Sequence, residues 1–322
     1  MNKTFQWVGR CDGMQLSHMR MHQIIDQHID QANTQVKNDQ TYTLIGFCSD
    51  EGVQRNQGRV GAALAPDLIR KQLANLPVHQ PIHVEDAGNI ECIDHALEQA
   101  QQQLSTTVTT FLSQGKYPIV LGGGHEVAYG SFKGLFDFAE SNLDENGCSQ
   151  QIGIINFDAH FDLRYHPEAT SGTPFLQAAK LSQSQGKNFA YLCLGVAQHA
   201  NTKILFDTAD TLHCQYVYDY EMSAVLDHQI KDKIQKFIDQ VDLIYITVDL
   251  DVFSAHIAPG VSAPAVRGID VATFENIFNL ICASGKVRLL DIAECNPKYD
   301  IDQHTAKLAA YIIYQYLFYR KI

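Results

Sequence analysis

Three segments of the chain bring together side chains that bind divalent cations, and each follows a short apolar run. The first reads Val120-Leu121-Gly122-Gly123-Gly124-His125-Glu126. Its glycine run predicts a tight turn from which an imidazole projects, and no Lys-Ser/Thr follows, which sets it apart from phosphate-cradling loops. The second is Asp158-Ala159-His160-Phe161-Asp162, preceded by Ile152-Gly153-Ile154-Ile155-Asn156-Phe157. If the strand conformation persists through it, period-two alternation turns Asp158, His160 and Asp162 to one side. The third, Val248-Asp249-Leu250-Asp251, closes the run Leu243-Ile244-Tyr245-Ile246-Thr247. Carboxylates at the end of a buried strand repel one another and protonate unless a cation compensates them.

Each motif alone has a plainer reading. A strand-end Asp is commonly a helix N-cap, and a His after glycines can be a packed core residue. Together, His125, Asp158, His160, Asp162, Asp249 and Asp251 form an oxygen and nitrogen set without thiolate, which suits manganese better than a structural zinc. Six ligands exceed the needs of one ion, so the set predicts a dinuclear site that makes a water nucleophilic at neutral pH. Such a site attacks a polarised carbon; it does not name the substrate.

The elements that must carry these residues alternate short β-branched runs with longer amphipathic ones, the pattern of βα units and a mainly parallel sheet. Eight strands are predicted, at TYTLIGFC, PIHVED, YPIVLGG, QIGIINFD, FAYLCLG, CQYVYD, DLIYITVDLD and VRLLDIAE. Helices are predicted at APDLIRKQLANL, IDHALEQAQQQLSTTVTTFLSQG, VAYGSFKGLFDFAE, Met222 to Gln240, ATFENIFNLICAS and HTAKLAAYIIYQYLFYR. Periodicity fits an open sheet or a closed barrel equally. Residues 1–40 read as a polar extension in which His18 and His22 lie on a solvated helix, and SNLDENGCSQQ reads as a surface loop.

With 322 residues, 45% of them hydrophobic, the chain is read as a single α/β domain. A net charge of -12 without any Lys/Arg run argues against nucleic-acid and anionic-membrane surfaces. No apolar stretch reaches the ~20 residues that span a bilayer, and the N-terminus lacks the apolar core of a secretory signal. The eight cysteines include no CxxC pair and read as reduced thiols, so a cytoplasmic location is expected.

At GGGH, DAHFD and DLD the sequence resembles the arginase or ureohydrolase superfamily, and the resemblance runs from about residue 42 to 320. It implies a three-layer α/β/α fold around an eight-stranded, mainly parallel sheet, two manganese ions per subunit, a small-molecule substrate and assembly into homo-oligomers. It also implies that His125, Asp158, Asp162 and Asp249 hold the first ion and Asp158, His160, Asp249 and Asp251 the second. Asp162 would double as the proton relay, and Glu294, within Asp291-Ile292-Ala293-Glu294-Cys295-Asn296-Pro297, would pair with the cationic C–N group under attack.

The chain also departs from true arginases. Arg164 stands where they carry an Asn, Phe175 where they carry a loop His, and Ser254 where the superfamily often has Asp. The stretches FDLRYHPEATSGTPF and CSDEGVQRNQGRVGAALAPDLIRK, with Trp7-Val8-Gly9-Arg10, instead resemble bacterial formimidoylglutamases. The substrate this implies, N-formimidoyl-L-glutamate, has an amidinium-like head and two carboxylates. Arg164 could hold one carboxylate in a bidentate pair and Arg55 or Arg59 the other, with Ser171, Gly172 and Asn201 as neutral partners. Rival readings are another ureohydrolase, a non-catalytic metal-binding protein and a one-metal deacetylase-like amidohydrolase. Agmatine, which has no carboxylate, would leave Arg164 without purpose.

Overall fold

The computed structural model describes residues 5–26, 40–143, 147–223, 225 and 227–319. All eight predicted strands form: β1 (Thr41–Cys48), β2 (His83–Glu91), β3 (Tyr117–Leu121), β4 (Ile152–Phe157), β5 (Ala190–Val196), β6 (Gln215–Tyr218), β7 (Leu243–Asp249) and β8 (Val287–Ala293). They make one open sheet in the order β2-β1-β3-β8-β7-β4-β5-β6, and every pairing is parallel. This removes the barrel alternative.

The central strands β4 and β7 are buried along their whole length, which is why they read as nearly unbroken apolar runs. Alternate residues feed two separate cores. Ile155, Phe157, Ile246 and Val248 enter one core, together with Ile69, Ile234, Phe274 and Ile313. Ile152, Ile154, Leu243 and Tyr245 enter the other, together with Leu104, Phe132, Phe175 and Leu205. The first core is covered by helices whose ranges are Ala65–Leu73, His228–Asp239, Val271–Cys282 and His304–Tyr319, and the second by Leu97–Ser113, Val127–Ser141, Pro174–Ser184 and Lys203–Thr211. The result is three layers, with helices on both faces of a parallel sheet.

Several local expectations need correction. The helix predicted from Met222 starts at His228, where the Asp227 side chain caps it by accepting from the Gln229 N–H at 2.7 Å. The helices Glu51–Arg55, Pro174–Ser184 and Lys203–Thr211 were not predicted. The N-terminal segment is not a solvated helix either. His18 and His22 lie in separate 3₁₀ turns, Met21, Ile24 and Ile25 are buried, and His22 Nδ1 meets the Ala74 carbonyl at 3.0 Å. Trp7 Nε1 donates to Asp86 at 2.8 Å, so residues 5–26 are tied to the body of the fold. Residues 27–39 of the predicted extension and 144–146 of the predicted surface loop lie outside the described residues.

Candidate active site

The four central strands of the sheet, β3, β8, β7 and β4, are neighbours, and their carboxyl ends bring the three ligand motifs and Glu294 to one place. His125 follows β3 through the glycine run. None of those glycines has a positive φ. Their role is close approach instead: a Cβ on Gly123 would lie 1.7 Å from the Ser49 carbonyl oxygen, and one on Gly122 2.6 Å from that of Ile292.

Beyond β4 the chain does not stay extended. The strand ends at Phe157, the His160 N–H donates to Asp158 Oδ1 at 2.7 Å, and Asp162 turns into the left-handed region at φ 48. Turn geometry, not strand alternation, therefore gathers Asp158, His160 and Asp162. At the end of β7, Asp249 has two roles. Its Oδ1 accepts from the Asp251 N–H at 2.8 Å, capping the 3₁₀ turn Leu250–Val252, while its Oδ2 lies 3.1 Å from His125 Nδ1.

His125 Nδ1 is the hub of the first cluster, at 3.1 Å from Asp158 Oδ2, 3.0 Å from Asp162 Oδ2 and 3.1 Å from Asp249 Oδ2. It is buried, yet it makes no correctly angled hydrogen bond with any of them. One in-plane N–H can address only one acceptor. Oxygens at about 3 Å on several sides suit a shared cation instead, because that is roughly the edge of an octahedron of ligands about 2.1 Å from a small divalent ion. The second cluster consists of Asp158, His160 and Asp251, with His160 Nδ1 at 3.1 Å from Asp251 Oδ2. Asp158 belongs to both clusters, as a bridging carboxylate must, whereas Asp249 belongs to the first alone.

Charge at the site is out of balance. Burial opposes the charge on His125, but Asp158, Asp162 and Asp249 lift its pKa well above the imidazole range, and Asp251 and Asp158 do the same for the partly exposed His160. Burial, with Asp158 adding, pushes Asp162, Asp249 and Asp251 above the usual carboxylate range. Asp158 itself is driven below that range, because its two histidines outweigh its burial. Bound cations would supply the missing positive charge, and the oxygen and nitrogen donors fit that need.

Glu294, at φ 65, accepts the His125 backbone N–H at Oε1, 2.9 Å away, while its Oε2 is buried without a partner. Burial, and then the nearby Glu126, push its pKa up to about 8. A cavity of about 310 Å³ opens over this floor, lined by Glu294, His160, Arg59, Arg164, Ser171 and Asn201 among others. Arg164 is exposed, and its guanidinium makes no hydrogen bond or ion pair among the described residues. Arg59 donates from Nε to the Ser262 carbonyl at 2.9 Å and from Nη2 to that of Val261, and it stacks on Tyr299 at 4.3 Å. No carboxylate neutralises it in these contacts.

The other predicted substrate contacts divide. Ser171 accepts from Asn56 at 3.2 Å on the cavity wall, and the Gly172 carbonyl accepts the Arg164 N–H at 2.9 Å, so Gly172 positions Arg164. Asn201 spends its amide on the ligand loop, donating to Ala159 and Ala197 and accepting from Phe161. Arg55 is not in the cavity lining. Its guanidinium is taken by Glu51, Glu98 and the carbonyls of Ala169 and His95. Asn56, Gln57 and Ser262 line the cavity and were missed; the polar run Arg55-Asn56-Gln57-Gly58-Arg59 was the signal for the first two, and Ser262 had none. Phe175 packs edge-on against the His125 ring at 5.3 Å, and Ser254 bonds His256 away from the ligands.

Comparison with known proteins agrees with this geometry. Residues 13–319 match the arginase family. The chain is 43% identical to formimidoylglutamase of Rhodococcus jostii, over 96% of this chain and 93% of that one. It is 45% identical to formimidoylglutamase of Chromobacterium violaceum, over 94% of each. The crystal structure of formimidoylglutamase from Bacillus subtilis superposes with a TM-score of 0.78 at 22% identity, over 96% of this chain and 93% of that one. That of Trypanosoma cruzi formiminoglutamase with Mn2+2 gives 0.74 at 24% identity, over 88% and 95%. With a parallel sheet whose central strand ends carry the ligand motifs, and with relatives of this similarity along nearly its whole length, the chain belongs to the arginase family, among its formimidoylglutamases.

Proposed function

We propose that this protein hydrolyses N-formimidoyl-L-glutamate to L-glutamate and formamide, as a step of histidine degradation, with two manganese ions held by His125, Asp158, His160, Asp162, Asp249 and Asp251. The observation that carries the substrate is the cavity wall: Arg164 and Arg59, neither neutralised by a carboxylate in its recorded contacts, stand over an acidic floor. A cationic wall and an anionic floor match a ligand with carboxylates at one end and an amidinium at the other.

When bound, the ions would lower the pKa of a water and so supply a nucleophile at neutral pH. The protein's part is placement. Arg164 and Arg59 hold the two carboxylates, and the stacked, carbonyl-bound Arg59 is already oriented for its share. Glu294 Oε2 faces the amidinium head and fixes the reacting carbon. Asp162, with the most exposed side chain in the first cluster, accepts the proton of the attacking water and delivers it to the departing glutamate nitrogen. The C–N bond to that nitrogen breaks, and the formyl carbon leaves as formamide.

The same reading makes the chain a single arginase-like domain, homo-oligomeric and cytoplasmic. It is supported by the one sheet that organises both cores, by the family, and by the free state of every cysteine. Among the described residues no helix is long and apolar enough to cross a membrane. The deciding experiment offers formimidoylglutamate, arginine, agmatine and guanidinobutyrate to manganese-loaded protein. Formamide from the first alone is expected; urea from arginine at a comparable rate overturns the assignment. Light scattering checks the assembly.

A further inference from the structure

Beneath the first ligand cluster lies a second layer of polar side chains that touches no part of the cavity. His125 Nε2, the ring nitrogen turned away from the carboxylates, lies 3.0 Å from Thr247 Oγ1, and both side chains are buried. Thr247 pairs in register with Asp291 across β7 and β8. Asp291 is fully buried on the sheet face that carries the core of Leu289 and Ala293. Tyr245 donates its hydroxyl proton to Asp291 Oδ2, while Oδ1 has no properly formed hydrogen bond of its own. Burial pushes the Asp291 carboxyl above the usual carboxylate range, and the hydroxyls of Thr247, Tyr245 and Ser131 that face it work against that rise.

A carboxylate only accepts, and a threonine hydroxyl has one proton to give. With that proton turned toward Asp291, Thr247 can offer His125 only a lone pair. Nε2 must then carry a ring hydrogen, so Nδ1 is the nitrogen left for a cation on the side of Asp158, Asp162 and Asp249. His160 has no such backing: its side chain is 23% exposed, and among the described residues none outside the cluster hydrogen-bonds its ring.

We propose that Asp291, acting through the Thr247 hydroxyl, is a positioning residue that sets the tautomer and tilt of His125, so that the first cation site is pre-formed while the second is not. This rests on the two-ion reading above. Partners behind a ligating histidine typically change metal affinity by about 10–100-fold.

The test is manganese binding to the full chain, read from the electron paramagnetic resonance of free Mn2+, alongside thermal unfolding of the metal-free protein. Thr247→Val, nearly equal in shape, should weaken one of the two binding steps by about 10–100-fold and leave the other within about twofold. Thr247→Ser should restore the wild-type curve, and Asp291→Asn should weaken the same step as Thr247→Val. Unchanged binding in Thr247→Val, equal weakening of both steps, or failure of the serine to restore binding would each overturn the proposal. Fewer than two ions in the wild type would overturn the metal reading itself, a distinct result.

Discussion

The backbone N–H of His125 donates to Glu294 Oε1 at 2.9 Å, so the turn after β3 and the strand end of β8 are fastened by the carboxyl of a residue that also lines the cavity. Glutamine preserves the fastening and removes the charge. Glu294→Gln should therefore lower kcat by about 10²–10³ through loss of an electrostatic partner, while manganese content stays at the wild-type value. Steady-state kinetics with metal analysis on one preparation checks both halves.

The Arg164 guanidinium has no hydrogen bond or ion pair to break among the described residues, so its removal reports mainly on the substrate. Arg164→Ala should raise KM by about 10–100-fold, the worth of a charge-assisted hydrogen bond, with little change in kcat. A larger loss in kcat than in binding would place the arginine at the reacting end instead.

Arg55 and Arg59 should separate cleanly. Arg55 joins Glu51, Glu98 and two carbonyls at a mostly buried site, so Arg55→Ala should cost about 1–3 kcal/mol of stability and leave KM near wild type. Arg59→Ala should raise KM. Denaturant unfolding beside kinetics distinguishes the two.

Asp158 serves both clusters and His160 only one. Asp158→Asn should abolish turnover and reduce binding of both ions, whereas His160→Asn should abolish turnover while retaining one. Metal content after dialysis, against a wild-type control, reads the difference directly.

Glu126 and Glu294, whose pKa values burial raises from 4.5 to about 7 and about 8, give the metal-free protein a predictable pH response. Such groups contribute their full stabilisation below the unfolded value of 4.5 and lose it as pH rises through about 7 and 8. The two raised histidines act in the same sense; Asp158, held low, acts oppositely but only in acid. Metal-free Tm should thus fall from about pH 5 to about pH 9, and the gain in Tm on adding manganese should grow over that range. Calorimetry or dye-based melting at several pH values suffices.

What could be read from the sequence follows from what each element depends on. The strands were legible because burial on both faces leaves a local mark, as in Ile152–Phe157. The clustering of the candidate ligands was legible because six side chains of metal-binding type follow three strands that had to share one sheet. The short helix Lys203–Thr211, rich in Thr and Asp, lacked a propensity signal, and packing of Leu205 and Ala209 against the sheet compensates for it. Arg55 and Arg59 could not be told apart, because Glu98, which claims Arg55, lies 43 residues away along the chain. The turn that gathers Asp158, His160 and Asp162 depends on a left-handed backbone at an aspartate, which no sequence pattern announces.

That backbone choice sets stability against function. At Asp162 and Glu294 an L side chain occupies a conformation glycine adopts freely, at φ 48 and 65, for a cost of about 1 kcal/mol or more at each. Replacing either by glycine would relax the chain and remove a group that the proposed reaction needs. Selection for thermostability alone, in the laboratory or by automated redesign, would therefore tend to erase these two positions early and yield a sturdier fold without turnover.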